Sequence, residues 1–253
     1  MIAESALHDV DAYFQERLRD NDRFWARLGG RPPLHGRTVL DFGCGHGALA
    51  IEMAEAGAAR VVAIDRSAER IDYCRDKVLP GAPRGVMELR RIDIADMDES
   101  ASFDYIVSRD TMEHVWPLEP VLAAMARLLR PGGSLYLGFS PLYYGPFGDH
   151  GELRVPLPWA HVVAGEARVL AAFNRTNRSD YRSLAEAGFN MLTPRQFRAG
   201  FDALGFAVTH LNVNPAERWA KRLVMRMLDA LRRVPALERF CTVGIYIVLR
   251  KPG

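Results

Sequence analysis

The sequence reads as an α/β protein, a mostly parallel sheet covered by helices on both faces, for two reasons. From residue 38 to 140, short β-branched runs alternate with helical stretches. Such an order builds βαβ units, whose strands pair in parallel while the crossover helices cover the sheet. The 253 residues, 49% hydrophobic and 25% charged, also fit one such domain with elaborations.

In chain order, AYFQERLRDNDRFW (12–25) predicts a helical cover within residues 1–30. TVLDFG (38–43) leads into the helical ALAIEMAEAG, VVAID (61–65) into SAERIDYCRDKV, and ELRRIDI and FDYIVSRD supply two more strands. A helix around 117–130 stops at LLRPGG, where a proline cannot continue it and glycines turn the chain into GSLYLGFS. After Ser140 the rhythm breaks, and 141–192, rich in proline, glycine and aromatics, reads as an inserted lid that binds the acceptor. In TPRQFRAGFDALG, Thr193 is the expected N-cap with Pro194 in the first turn. FAVTHLNV and CTVGIYIVL are two late strands with a basic helix between them. The expected organisation is a single domain over 1–253: a cover at 1–30, a ligand-binding core at 38–140, the lid, and a C-terminal helix and strands at 193–253.

Composition excludes several classes. A formal net charge of +2 gives no general attraction to nucleic acid. Cys44, Cys74 and Cys241 are too scattered for a disulfide framework or a thiolate zinc site, and point to a reducing cytoplasm. The N-terminus is too charged for a signal peptide, and no apolar run approaches the roughly 18–20 residues that span a bilayer.

The chemistry concentrates in LDFGCGHGALA (40–50). Glycines let a backbone turn tightly and approach a ligand closely. A dinucleotide loop has the pattern G-x-G-x-x-G, whereas this one is D-x-G-x-G-x-G, with the third glycine one position early. Asp41 disfavours a pyrophosphate and favours an ammonium group. This stretch resembles motif I of the class I S-adenosylmethionine (SAM)-dependent methyltransferases, and the family's remaining stations follow in order across 38–140. The resemblance implies a Rossmann-like, seven-stranded mixed sheet whose last strand is antiparallel. It implies that Asp41, Gly43, Cys44, Gly45 and Gly47 hold the amino-acid part of SAM and that Asp65 takes the ribose hydroxyls beside Arg66. It further implies that Asp93 and the amide of Ile94 read the adenine, and that Ser108 and Arg109 stand behind the methionine portion. Tyr13 and Arg17 of the cover are expected near the cofactor carboxylate.

For the acceptor, SRDTMEHV (108–115) replaces the NPPY-type tetrad associated with methylation of base or protein amides. Asp110, Glu113 and His114 share one face if a helix starts there. The segment is similar to one in the ubiquinone-biosynthesis O-methyltransferases that is associated with a divalent metal, so these three are metal-ligand candidates, with bracing of the helix or lid as the alternative. His114 and His150 are the candidate catalytic groups. Tyr143, Tyr144, Phe147 and Trp159 are expected to wall an acceptor pocket, with His161 a hydrogen-bonded loop residue. In 217–233, Trp219, Leu223, Met227 and Leu231 form a stripe flanked by arginines; packing on the sheet is expected ahead of contact with a membrane surface. The expected activity is SAM-dependent O-methylation of a small molecule in secondary-metabolite, quinone or glycoconjugate biosynthesis. C- or N-methylation and non-catalytic SAM binding are the alternatives, and nucleic acid is not an expected partner.

Overall fold

The computed structural model describes residues 10–215 and 219–253. Residues 1–9 of the expected cover, residues 217–218 of the expected basic helix, and the side chains of Trp219 and Lys221 lie outside the described residues.

Two helices, α1 (Val10–Arg19) and α2 (Asn21–Arg27), precede the sheet. The core then runs β1 (Thr38–Phe42), α3 (Ala48–Glu55), β2 (Arg60–Asp65), α4 (Ala68–Tyr73), β3 (Met87–Arg91), β4 (Phe103–Arg109), α5 (Leu118–Leu128) and β5 (Leu129–Phe139). Residues 141–192 carry α6 (Ala160–Ala164) and α7 (Glu166–Asn177). The chain finishes with α8 (Pro194–Ala203), β6 (Ala207–Val213), α9 (Trp219–Leu231), α10 (Glu238–Cys241) and β7 (Ile245–Arg250).

The seven strands pair in the order β3-β2-β1-β4-β5-β7-β6. Strands β1 to β5 are parallel to their neighbours, while β7 runs antiparallel to both β5 and β6. The expected mixed sheet with an antiparallel last strand is therefore present. Central strands read as unbroken apolar runs because helices cover both faces. Successive side chains alternate between two cores. Leu40, Val62, Ile64 and Ile106 face one with Phe139, Phe197 and Phe201. Val39, Val61, Ala63 and Val107 face the other with Phe24, Trp25 and Leu49. The strand order reverses between β1 and β4, which opens a crevice at the C-terminal ends of the strands, the usual ligand site of such sheets.

Helix α8 begins as its sequence suggests, with Thr193 and Gln196 forming a reciprocal capping box and Pro194 in the first turn. The expectation for α9 is overturned. Leu223, Met227 and Leu231 of the stripe are exposed, and Leu228 is the buried side chain of that helix. The sheet faces are already occupied by the two cores, so α9, which follows edge strand β6, packs against the short α10 instead.

Gly138 on β5 sits where two aromatic rings press on the strand. A Cβ there would lie 2.6 Å from Tyr246 Cδ1 and 2.7 Å from Phe24 Cε2. Gly138→Ala is expected to destabilise the fold by about 1–3 kcal/mol through overpacking, read as a lower urea midpoint with an unchanged slope.

Candidate cofactor and acceptor site

β1 ends at Phe42, and the chain turns through Gly43, Gly45 and Gly47 with φ of 71°, 54° and 81° before α3 starts. Gly43 is required by space as well as by φ, because the Thr111 side chain occupies the place of its Cβ. The loop closes on the protein itself. The amides of Gly43 and Cys44 donate to Ile64 O, that of Gly45 to Asp65 Oδ2, and that of Gly47 to Cys44 O, at 2.9–3.0 Å. A pyrophosphate nest needs such amides free; these four are already donated.

Asp41 lies at the switch point, paired in register with Ala63 on one side and Val107 on the other. It is 1% exposed, and its Oδ2 has no hydrogen-bond partner. Burial pushes its carboxyl up to about 7, opposed by the nearby Arg109 guanidinium and reinforced by Asp65. A buried acceptor left without a donor is costly, and a cationic donor such as an ammonium answers both the lone pair and the charge. Asp65 accepts from the amides of Gly45 (3.0 Å) and Ser67 (2.9 Å) and keeps the remaining lone pairs of a carboxylate for ligand hydroxyls. Asp93 caps a short turn at Ile94–Asp96 through the Ala95 amide, and the exposed Arg66 lies 3.8 Å from it.

The strand-4 residues are turned to protein partners. Ser108 Oγ donates to Phe42 O at 3.0 Å, tying β4 to β1. Arg109 donates to Asn21 Oδ1 at 2.6 Å and to Arg17 O at 3.3 Å, and lies over the Phe24 ring. It thereby fastens α1 and α2 to the end of the sheet. Arg17 in turn pairs with Asp110 at 2.5 Å. Tyr13 meets the edge of the His46 ring, and Tyr73 donates to Asp11 at 2.8 Å. Helix α1 thus lies over the glycine loop.

The condition for a shared face, a helix starting at Asp110, is not met. Asp110 takes φ 50°, and only a single 3-10 turn, Met112–His114, follows. Asp110, Glu113 and His114 therefore lack the shared helical face that suggested a metal site. Among the described residues no group of three His, Cys, Asp or Glu side chains is placed to hold a metal ion. Chemistry agrees: Arg17 engages Asp110, and burial, with Asp110 adding to it, pushes the Glu113 carboxyl well up toward its neutral form. The trio does not fit a divalent ion.

His114 has another setting. Its Nδ1 lies 2.7 Å from Gly188 O, and a carbonyl only accepts, so Nδ1 carries the hydrogen and Nε2 is the ring's acceptor. The His150 ring stands 5.2 Å from that of His114 and 5.6 Å from Phe189. Burial lowers the basicity of both, taking His150 to about 3, with His114 as its next cause. Both rings are neutral near pH 7. Glu113 Oε2 is buried without a partner in the same segment.

The 141–192 segment has its own small core of Tyr143, Val169, Phe173, Leu184 and Phe189, with Tyr144 packed against it. His161 is buried and hydrogen-bonded as expected, its Nε2 donating to Tyr143 O at 2.6 Å, but it lies in helix α6 and not in a loop. Trp159 donates to Phe240 O at 2.8 Å, tying the segment to α10. Phe147 is half exposed. Sequence reasoning missed Asn190, whose side-chain amide donates to Met112 O (2.7 Å) and Val115 O (3.0 Å), and Gly188, whose carbonyl orients His114. Asn21, which also donates to Ala48 O at 2.8 Å, was missed as well. All three act across long sequence separations and leave no local pattern.

Residues 39–133 match a family model described as a methyltransferase domain. This is the stretch that holds Asp41, the loop, Asp65, Asp93 and His114. The match and the sheet order together support a class I SAM-dependent methyltransferase core over these residues. It is 32% identical over 133 residues to a ubiquinone biosynthesis O-methyltransferase of Xanthomonas oryzae pv. oryzae, an alignment covering 46% of this chain and 55% of that protein. The chain spans about half the length of the relatives it matches. Among solved structures, a SAM-dependent methyltransferase from Mesorhizobium loti superposes with a TM-score of 0.61 at 18% identity, covering 92% of this chain and all of that one. The cyclase SpnF superposes at 0.59 and 16% identity, covering 93% of this chain and 80% of that one. At such identities these two likenesses concern the methyltransferase fold alone.

The raised Asp41 carboxyl has a measurable sign. It is about 7 in the folded chain against 3.8 for an ordinary aspartate. Its contribution to stability is complete below the unfolded value and is lost as pH rises through about 7, because the folded state must then ionise a buried group. In the ligand-free methyltransferase, Asp41→Asn is expected to remove that part of the decline, so that urea midpoints at about pH 5 and about pH 8 differ less than in the wild type.

Proposed function

We propose that this chain transfers the methyl group of SAM to a hydroxyl oxygen of a small-molecule acceptor. The observation that carries the reading is a neutral histidine pair beside the cofactor crevice, one member of which has a fixed tautomer with Nε2 as acceptor. SAM, when bound, supplies a methyl group on a sulfonium, which needs little covalent assistance. The residues present fit it: Asp41 offers a buried, partnerless oxygen to the ammonium, Asp65 offers lone pairs to the ribose, and Asp93 with Ile94 stands at the adenine end. The amides already donated in the loop speak for an amino-acid tail over a pyrophosphate.

The protein's own task is to place the acceptor hydroxyl and to remove its proton. His114 Nε2 takes that proton, with the imidazolium stabilised by donation from Nδ1 to Gly188 O. His150 and Phe189 stand beside it, and Glu113, whose carboxyl burial pushes well up, faces the same segment with a partnerless Oε2. The O-methyltransferase name of the Xanthomonas relative supports oxygen as the reacting atom.

Incubation with methyl-labelled SAM and a fractionated metabolite extract is the test. Label in a small-molecule peak, with the product methyl bonded to oxygen, is the expected result. Label only in RNA or protein, or a methyl on carbon or nitrogen, overturns it. His114→Gln is expected to lower kcat by about 10²–10⁴-fold while the Kd for SAM stays within a few-fold. The acid limb of the wild-type profile should lie below pH 6.5, the ordinary histidine value that burial lowers here. A chelator should leave turnover unchanged, because Arg17 and burial occupy the groups a divalent ion needs.

A further inference from the structure

We propose that α9 and the turn after it form a docking surface for an anionic lipid bilayer. The inference stands on the surface alone and does not depend on the methyl acceptor.

α9 turns its apolar stripe to solvent. Leu223 is 74% exposed and Met227 54%, with Val224 and Leu231 also exposed and Val234 and Leu237 continuing the series past the helix end. Residues at i, i+4 and i+8 lie on one face, so Leu223, Met227 and Leu231 make one continuous ridge. Soluble surfaces rarely leave such a patch without use.

Charge is concentrated beside it. Residues 222–239 hold five arginines against Asp229 and Glu238, an excess of three positive charges, whereas the whole chain has a formal +2. Both carboxylates are already engaged: Asp229 by Arg232 at 2.6 Å, and Glu238 by Arg195 at 3.0 Å and Arg198 at 2.7 Å. Arg222 and Arg226 each precede a ridge residue and flank the stripe. Both are exposed, and among the described residues neither makes an ion pair.

This pairing of apolar ridge and arginine flank matches an interface with phosphate headgroups above acyl chains. Guanidinium groups pair well with phosphate oxygens while the ridge enters the hydrocarbon boundary. A second copy of the chain fits less well, because a two-fold contact sets the same arginines against each other. The place in the fold is apt. α9 packs on α10, and α10 holds the 141–192 segment through the Trp159–Phe240 hydrogen bond and the Tyr144–Phe240 ring contact. That segment adds exposed Val155, Leu157 and Val163. No helix among the described residues is long and apolar enough to cross a membrane, so the contact is one of lying on the surface.

The test is co-sedimentation of the full chain with phosphatidylcholine vesicles, with and without phosphatidylglycerol. Binding is expected only with phosphatidylglycerol and is expected to weaken as salt rises. Leu223→Asp with Met227→Asp should lower binding at least about tenfold, as should Arg222→Gln with Arg226→Gln, while the corresponding double lysine variant keeps it. These side chains are exposed, and unchanged circular dichroism and SAM affinity would show that fold and crevice are intact. No binding to anionic vesicles, equal binding to neutral ones, or binding indifferent to both double variants overturns the proposal. So does a dimer in solution that Leu223→Asp with Met227→Asp dissolves, since the ridge would then be a self-interface.

Discussion

A carboxyl group buried at the end of the central strand, with one oxygen unanswered, is the constraint around which the site is arranged. Folding places Asp41 between β2 and β4, where water does not reach it. An unpaired carboxylate in such a place is unfavourable, and burial raises the carboxyl to about 7, toward its neutral form. The neighbouring loop commits the amides of Gly43, Cys44, Gly45 and Gly47 to protein acceptors other than Asp41. A ligand that brings a positive donor therefore releases a cost stored in the fold. This is a physical reason for selecting a zwitterionic tail.

The cover over this crevice is held by polar ties at its rim, and none of the residues of α1 is buried. Arg17 meets Asp110, Arg109 meets Asn21, and Asn21 reaches the first turn of α3. Partly exposed ion pairs of this kind contribute about 1 kcal/mol or less. α2, by contrast, buries Phe24 and Trp25 in the core and stays with the sheet. α1 adds only the partly buried Phe14 and Leu18 to that core and is otherwise tied by the polar contacts at its rim. Segments with few buried apolar contacts open at low free-energy cost.

The sheet and the loop were legible in the sequence because their signals are local: β-branched runs, turn glycines, and the cap before α8. The shared face at Asp110 failed because i, i+3, i+4 spacing says nothing about the positive φ that Asp110 adopts on leaving β4. α9 was misread for a different reason. Its periodicity correctly gives an amphipathic helix, but periodicity does not say which partner the apolar face meets, and here the two sheet faces were already filled. Asn190 and Gly188 were invisible because their partners lie some 75 residues earlier in the chain.

That last case separates what this chain shares from what is its own. The family match ends at residue 133 and contains the cofactor stations and His114. The group that fixes the His114 tautomer, Gly188 O, and the ring that faces it, His150, both come from beyond that point. So does Asn190, which grips the backbone on either side of His114 through Met112 O and Val115 O. The orientation of the His114 ring, the base in the proposed function, is thus set jointly by the exit of β4 and by the inserted segment. Moving that segment away would free Nδ1 from its carbonyl, let the ring change tautomer, and remove His150 from its place. The defined orientation of the His114 ring therefore depends on the insert being seated against the exit of β4. On the proposed function, the cofactor half would then be common to many chains, while choice of acceptor would rest with residues 141–192.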